Sequence, residues 1–235
     1  MSLEERQFKV EKPFGPYIVK STISDETHKI LLNTAYKIRK NEKLKKDNDY
    51  RKSLAGNLAE EYSYKNAFTK KEEKIVSEEL CWMASVYTKM AKDYINVNRS
   101  VEPHNIIIHK PFWVNFMKNG EWNPFHNHTG LISCVCYLKI PKEIAQENNS
   151  GKSSSKSNSP SAGKIEFRYG DGYYFYSNMI SYQPSEKDII FFPATLQHAV
   201  YPFKSKTERI SFSCNFADKV LSHKDLQKTF LDKGK

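Results

Sequence analysis

The sequence predicts an α+β protein whose core is a β-sandwich or double-sheet barrel. Two observations carry that prediction. The N-terminal third repeats apolar residues at helical spacing, and from about residue 104 the pattern changes to short runs rich in β-branched and aromatic residues. Helices followed by many short strands is the order expected when helices pack on an antiparallel double sheet. At 235 residues the chain can bury a sizeable core without disulfides or structural metals. It reads as a single domain, with 1–100 as mainly helical support and 104–217 as the sheet core.

The elements follow in order. "SDETHKILLNTAYKIRK" opens on Ser24 and Asp25 as candidate N-caps, then places Ile30, Leu31, Ala35 and Ile38 on one face. "YRKSLAGNLAEEYSY" reads as a linker containing Gly56. "KKEEKIVSEELCWMASVYTKMAKDYI" carries acids early and lysines late, matching the helix dipole, with Ile75, Trp82, Val86 and Met90 as its core-facing stripe. The strand runs are "HNIIIHKPFWVNFM", "LISCVCYLKI", "GKIEFRY", "DIIFFPATLQHAVYPF" and "RISFSCNF". "ENNSGKSSSKSNSPSAG", residues 147–163, is too polar to offset its ordering entropy and reads as a flexible loop. "SHKDLQKTF", capped by Ser222 with Asp225 three residues on, predicts a closing helix over 221–230.

The formal net charge of +10 raises nucleic acid or an acidic partner. The densest basic run, "KIRKNEKLKK", is explained equally well as a solvated helix end. Cys81, Cys134, Cys136 and Cys214 form no CxxC pair and lie in apolar runs, which fits free thiols of a reducing compartment. No apolar run approaches the ~20 residues of a membrane span, and "MSLEERQFKV" lacks an apolar signal core. The expectation is a cytoplasmic protein with no membrane partner. A homodimer is compatible with the sequence but not specified by it.

The chemistry centres on "HNHTG", residues 126–130. If this stretch begins a strand, His126 and His128 share a face and can converge on one metal ion. His198, in "FFPATLQHAVYPF", is the best third ligand. Eleven residues later comes "RISFSCN", whose strand period puts Arg209, Ser211, Ser213 and Asn215 on one face and Ile210, Phe212 and Cys214 on the other. An arginine fork beside a hydroxyl can grip a carboxylate. His28, His104, His109 and His223 have no companions at ligand spacing.

The combination of the HxH, the distal His and Arg-x-Ser resembles the Fe(II)- and 2-oxoglutarate-dependent oxygenases. "WVNFMKNGEWNPFHNHTGLISCVCYLKIP", "FFPATLQHAVYPF", "ERISFSCNF" and, more loosely, "LAGNL" resemble a subfamily of marine phages and bacteria that carries HxH where most members carry HxD. The resemblance implies a double-stranded β-helix (jelly-roll, cupin-like) core, and a host cytoplasm as location if the chain is phage-encoded. It implies Fe(II) held by His126, His128 and His198, and 2-oxoglutarate held at its distal carboxylate by Arg209 and Ser211 with Tyr137 donating. Asn115 and Asn215 become candidates for the 1-carboxylate side or the substrate. The implied reaction couples decarboxylation of 2-oxoglutarate by O2 to hydroxylation of an unknown substrate, such as a prolyl side chain or a metabolite.

Two other metal readings stay open at this point. His128-Thr129-Gly130 can be taken as an HxG pattern with His126 outside the metal shell, or a carboxylate such as Glu166 or Asp171 can enter from elsewhere. Two other whole-protein readings also stand. One is a metal-binding cupin-like module, which has no need of Arg209-x-Ser211. The other is a nucleic-acid-binding protein with a degenerate metal site.

Overall fold

The computed structural model describes residues 7–11, 15–95, 101–149, 157–172 and 177–220. In chain order the elements are β1 (Lys9–Glu11), β2 (Ile18–Thr22), α1 (Asp25–Lys40), α2 (Glu42–Asp47), β3 (Glu60–Ser63) and α3 (Lys70–Ile95). There follow β4 (Ile106–Lys118), β5 (Asn123–His126), β6 (Ile132–Lys139), α4 (Lys142–Asn149), β7 (Ile165–Arg168), β8 (Met179–Tyr182), β9 (Asp188–Pro193), β10 (Gln197–Val200) and β11 (Glu208–Asp218). The strands form a seven-stranded sheet, β1-β2-β9-β6-β11-β4-β3, and a four-stranded sheet, β5-β10-β7-β8. Every paired neighbour among the described residues is antiparallel, so this is the double-stranded β-helix of an α+β protein.

Strand alternation divides the interior into two cores. Ile189 and Phe191 of β9, with Ile210, Phe212, Cys214 and Phe216 of β11, face α1 and α3. Ile190 and Phe192, one residue out of phase, face the smaller sheet with Ile165, Phe167 and Leu196. A sheet covered on both sides needs apolar residues on both faces, which is why β6 and β9 read as continuous apolar runs. β11 is buried along most of its length yet polar on one face, and that face looks into the sandwich.

Ser24 caps α1 by accepting from the Thr27 N–H at 3.1 Å. Glu79 of α3 then accepts from the Ser24 N–H at 2.8 Å and the Thr27 hydroxyl at 2.6 Å, which ties the two helices together. Leu31, Ala35 and Ile38 are buried as expected, with Ile30 at the edge of the same cluster.

Four expectations need correction. The first hundred residues are not only helical, because β1, β2 and β3 extend both edges of the large sheet. "YRKSLAGNLAEEYSY" is therefore no linker. Its second half pairs with β4 as an edge strand, Glu61 opposite Asn115. The buried stripe of α3 is Val76, Leu80, Met83 and Tyr87, whereas Ile75, Trp82, Val86 and Met90 flank it. This helix is apolar over more than one face, and the position of the sheet, which periodicity does not report, selects the buried one. The polar segment begins as helix rather than loop, because Glu147 at the end of α4 is buried and accepts the Lys204 and Ser205 N–H groups at 3.0 and 2.6 Å. Its centre, 150–156, and the expected helix at 221–230 lie outside the described residues.

Candidate metal centre and anion site

The two sheets bring together residues that are far apart in sequence. β5 and β10 pair with His126 directly opposite His198. Each imidazole is oriented the same way. His126 Nδ1 lies 2.7 Å from the Pro124 carbonyl, and His198 Nδ1 lies 3.0 Å from the Leu196 carbonyl. A carbonyl only accepts, so each Nδ1 carries the proton and each Nε2 keeps a free lone pair.

His128 arrives differently from the expectation. β5 ends at His126, so the pair is not on one strand face. The turn places it instead: the His128 N–H donates to the Ala194 carbonyl at 2.8 Å. Gly130 follows with φ +102°, where a Cβ would come 2.8 Å from the Phe216 carbonyl oxygen. This gives Gly130 a backbone role independent of any HxG pattern. His128 Nε2 ends 3.3 Å from His198 Nε2. One ligand atom from each of His126, His128 and His198 lies within 4.8 Å of the others, and among the described residues no carboxylate joins them.

Burial holds all three imidazoles neutral. Desolvation lowers His126, despite its bond to Pro124. Desolvation together with His126 brings His128 to about 4, and desolvation with both neighbours puts His198 well below the ordinary histidine value. Neutral imidazole is the metal-binding form. Phe192 and Phe167 pack on His198, with ring centroids at 4.7 and 5.7 Å, and Trp113 lies 5.5 Å from His128.

The alternative carboxylates are elsewhere. Glu166 pairs with Ala199, not His198, across β7–β10, so it projects away from the cluster. It is engaged by Arg168 Nε at 3.0 Å and the Tyr201 hydroxyl at 2.9 Å. Asp171 is exposed.

The facing wall of the cavity is the large sheet. Arg209, Ser211 and Ser213 of β11 line it with Asn115, Met117 and Trp113 of β4. Arg209 is only 2% exposed, and its contacts are weak: Nη1 to the Gly163 carbonyl at 3.3 Å and to Met117 Sδ at 3.8 Å. Its Nε has no partner, and no carboxylate pairs with it among the described residues. Burial lowers its pKa, with the nearby Tyr137 opposing, yet a guanidinium stays charged. Tyr137 is fully buried beneath it, ring centroid 4.9 Å from the guanidinium carbon, its hydroxyl unpartnered. Asn115 also leaves its buried side-chain oxygen unpartnered. Asn215 is less available: its oxygen accepts the Ser133 hydroxyl at 2.7 Å.

Sequence reasoning missed one wall. Ser53 to Gly56, Leu58, Glu61 and Asn123 also line the cavity. Their signal was the alternation in "EEYS", where Glu60 and Glu61 must face opposite ways once the stretch is a strand.

Residues 111–215 match the family model described as "Putative 2OG-Fe(II) oxygenase", and this span contains all three histidines, Arg209 and Ser211. The segment belongs to the Fe(II)- and 2-oxoglutarate-dependent oxygenases. The family uses Fe(II), with 2-oxoglutarate and O2 as cosubstrates. No curated protein matches it in sequence. Among solved structures, AviO1 from Streptomyces viridochromogenes Tue57 is similar at 11% identity and a TM-score of 0.56, over 87% of this chain and 91% of that one. A Pseudomonas putida prolyl-4-hydroxylase aligns at 12% identity and a TM-score of 0.48, over 92% of this chain and 95% of that one. At such identity the first likeness is one of fold. No helix of the described residues is long and apolar enough to cross a membrane.

Proposed function

We propose that this oxygenase holds Fe(II) on His126, His128 and His198, takes the distal carboxylate of 2-oxoglutarate on Arg209 and Ser211, and hydroxylates a C–H bond of a separate substrate. The observation that carries the reading is Arg209, a buried guanidinium without a counter-charge in the same cavity as three neutral imidazoles. A buried unpaired cation is costly, and an anionic ligand repays that cost. Nε2 lone pairs of His126 and His198, with one ring nitrogen of His128 close by, fit a divalent cation of borderline softness.

Bound iron with 2-oxoglutarate and O2 supplies the oxidising chemistry, in which 2-oxoglutarate becomes succinate and CO2. The protein's own groups orient and shield. Pro124 and Leu196 carbonyls fix the ring planes of His126 and His198. Arg209 and Ser211, on one strand face, hold a dicarboxylate in a single register, with the Tyr137 hydroxyl as a further donor. Asn115 is placed to contact the other end of the cosubstrate or the substrate. Phe167, Phe192 and Trp113 keep water from the imidazoles. His128 in place of a carboxylate leaves the site one negative charge poorer, which raises its affinity for anionic cosubstrate.

The test is anaerobic titration of the Fe(II) protein with 2-oxoglutarate, followed by visible absorption. A charge-transfer band and succinate formation on admitting O2 are expected. A protein that gives neither is not this enzyme.

A further inference from the structure

Glu60 and Glu61 are adjacent, and the structure treats them oppositely. Glu60 faces the outer side, where Arg39 Nη2 and Lys118 Nζ each approach its carboxylate at 2.7 Å. Burial works against it, but these two cations hold its pKa at about 2. Glu61 faces the cavity. It is fully buried, and neither carboxylate oxygen has a hydrogen-bond partner. Asn123, at the start of β5, likewise leaves its side-chain oxygen unpartnered in the same wall. Gly56 makes room for both: a Cβ there would lie 2.4 Å from Glu61 Oε1 and 2.8 Å from Asn123 Oδ1.

The position of this acceptor wall is set by register. Glu61 pairs with Asn115, and Asn115 with Ser211, so Glu61 sits two strands from the anion-binding column, roughly 10 Å away. Asn123 opens the strand that His126 closes, a Cα separation also of about 10 Å. The cavity is therefore cationic at Arg209, presents unpartnered acceptor oxygens at Glu61 and Asn123, and is lined by imidazole between β5 and β10. Cosubstrate accounts for the first and metal for the last. Nothing yet accounts for the second, and Glu61 lies outside the residues that match the family, 111–215.

We propose that Glu61, assisted by Asn123, is a specificity-determining residue that takes a cationic nitrogen of the prime substrate, an amine or guanidinium carried on a short aliphatic chain whose C–H reaches the metal. This deepens the proposed function and rests on it. Such a group supplies several N–H donors to the orphaned oxygens and a counter-charge to the carboxylate. The aliphatic chain spans the remaining distance along β5. Desolvation, reinforced by Glu121 and Asp49 and opposed by Arg51, pushes the Glu61 pKa up to about 7, and a cation bound there would lower it.

The experiment titrates the anaerobic Fe(II)–2-oxoglutarate protein calorimetrically with L-lysine, L-arginine, an acetyl-capped lysine peptide and L-norleucine. A cationic probe is expected to bind at least roughly tenfold more tightly than norleucine. Preference for the capped peptide over free lysine identifies a protein side chain as the source, and the reverse identifies a free amino acid. Glu61→Gln erases the cationic preference, while Glu61→Asp, which retains the charge, keeps part of it. Thermal unfolding of Glu61→Gln shows a midpoint at or above that of the wild type, since a purely structural carboxylate would leave a less stable protein when neutralised. Equal binding of norleucine, no binding of any cationic probe, or a preference that survives in Glu61→Gln overturns the proposal. If the wild type lacks the 2-oxoglutarate charge-transfer band, the underlying oxygenase reading fails instead.

Discussion

The two faces of β11 are equally buried and chemically opposite. Ile210, Phe212, Cys214 and Phe216 are at 0% exposure against the helices, and Arg209, Ser211, Ser213 and Asn215 are between 2% and 8% exposed inside the sandwich. The first face gains from apolar burial, at about 25 cal/mol per Å². The second forfeits that gain and adds a desolvated guanidinium. Burial alone therefore does not separate core from site. What separates them is whether polar atoms find partners within the protein, and the orphaned Arg209 Nε, Tyr137 hydroxyl and Asn115 oxygen cluster on the inner face and its neighbours.

Substitutions can break this comparison from either side. The largest effect is expected at the histidines: His198→Ala removes a candidate ligand and should abolish bound iron, by metal analysis, and succinate formation with it. Next is the apolar face, where Phe212→Ala should cost about 3–5 kcal/mol of unfolding free energy in denaturant titration, with little change in 2-oxoglutarate affinity of the folded fraction. On the polar face, Arg209→Ala should reverse that pattern. It weakens 2-oxoglutarate binding by about 2–4 kcal/mol while metal content and stability are retained. Loss of metal instead would remove Arg209 from the anion site.

A pH effect of intermediate size belongs to Glu61. Its folded pKa of about 7 lies above the usual 4.5, so the folded state is favoured while Glu61 is protonated. That stability is complete below about pH 4.5 and is lost as pH rises through 7. The difference in unfolding free energy between Glu61→Gln and wild type should grow in favour of the variant between pH 5 and 8, by on the order of 2 kcal/mol. A flat difference would show that Glu61 has a partner in solution. The smallest effect is expected for Ser211→Ala, about 1 kcal/mol in 2-oxoglutarate affinity, read by calorimetry.

Much of the inner face was legible before folding. The period of two in "RISFSCN" assigns Arg209 and Ser211 to one side and Phe212 to the other, because a strand's side chains must alternate. The α1 cap and stripe were legible for a similar reason, since capping and helical period are local. The same local logic misjudged α3 by one position and read "YRKSLAGNLAEEYSY" as a linker. An edge strand and a helix face are defined by what they pack on, and that partner is distant in the chain.

Sequence by itself determined the residue types and their phase: three histidines, an arginine followed two residues later by serine, and apolar strands able to enclose them. Tertiary structure alone decided how His128 reaches the cluster, through a turn bonded to Ala194 rather than along a strand. It alone excluded Glu166, by pairing it with Ala199, and brought Glu61 to the cavity wall. Phase follows from backbone geometry within a few residues, whereas convergence follows from strand pairing across intervals as long as the 70 residues between His128 and His198.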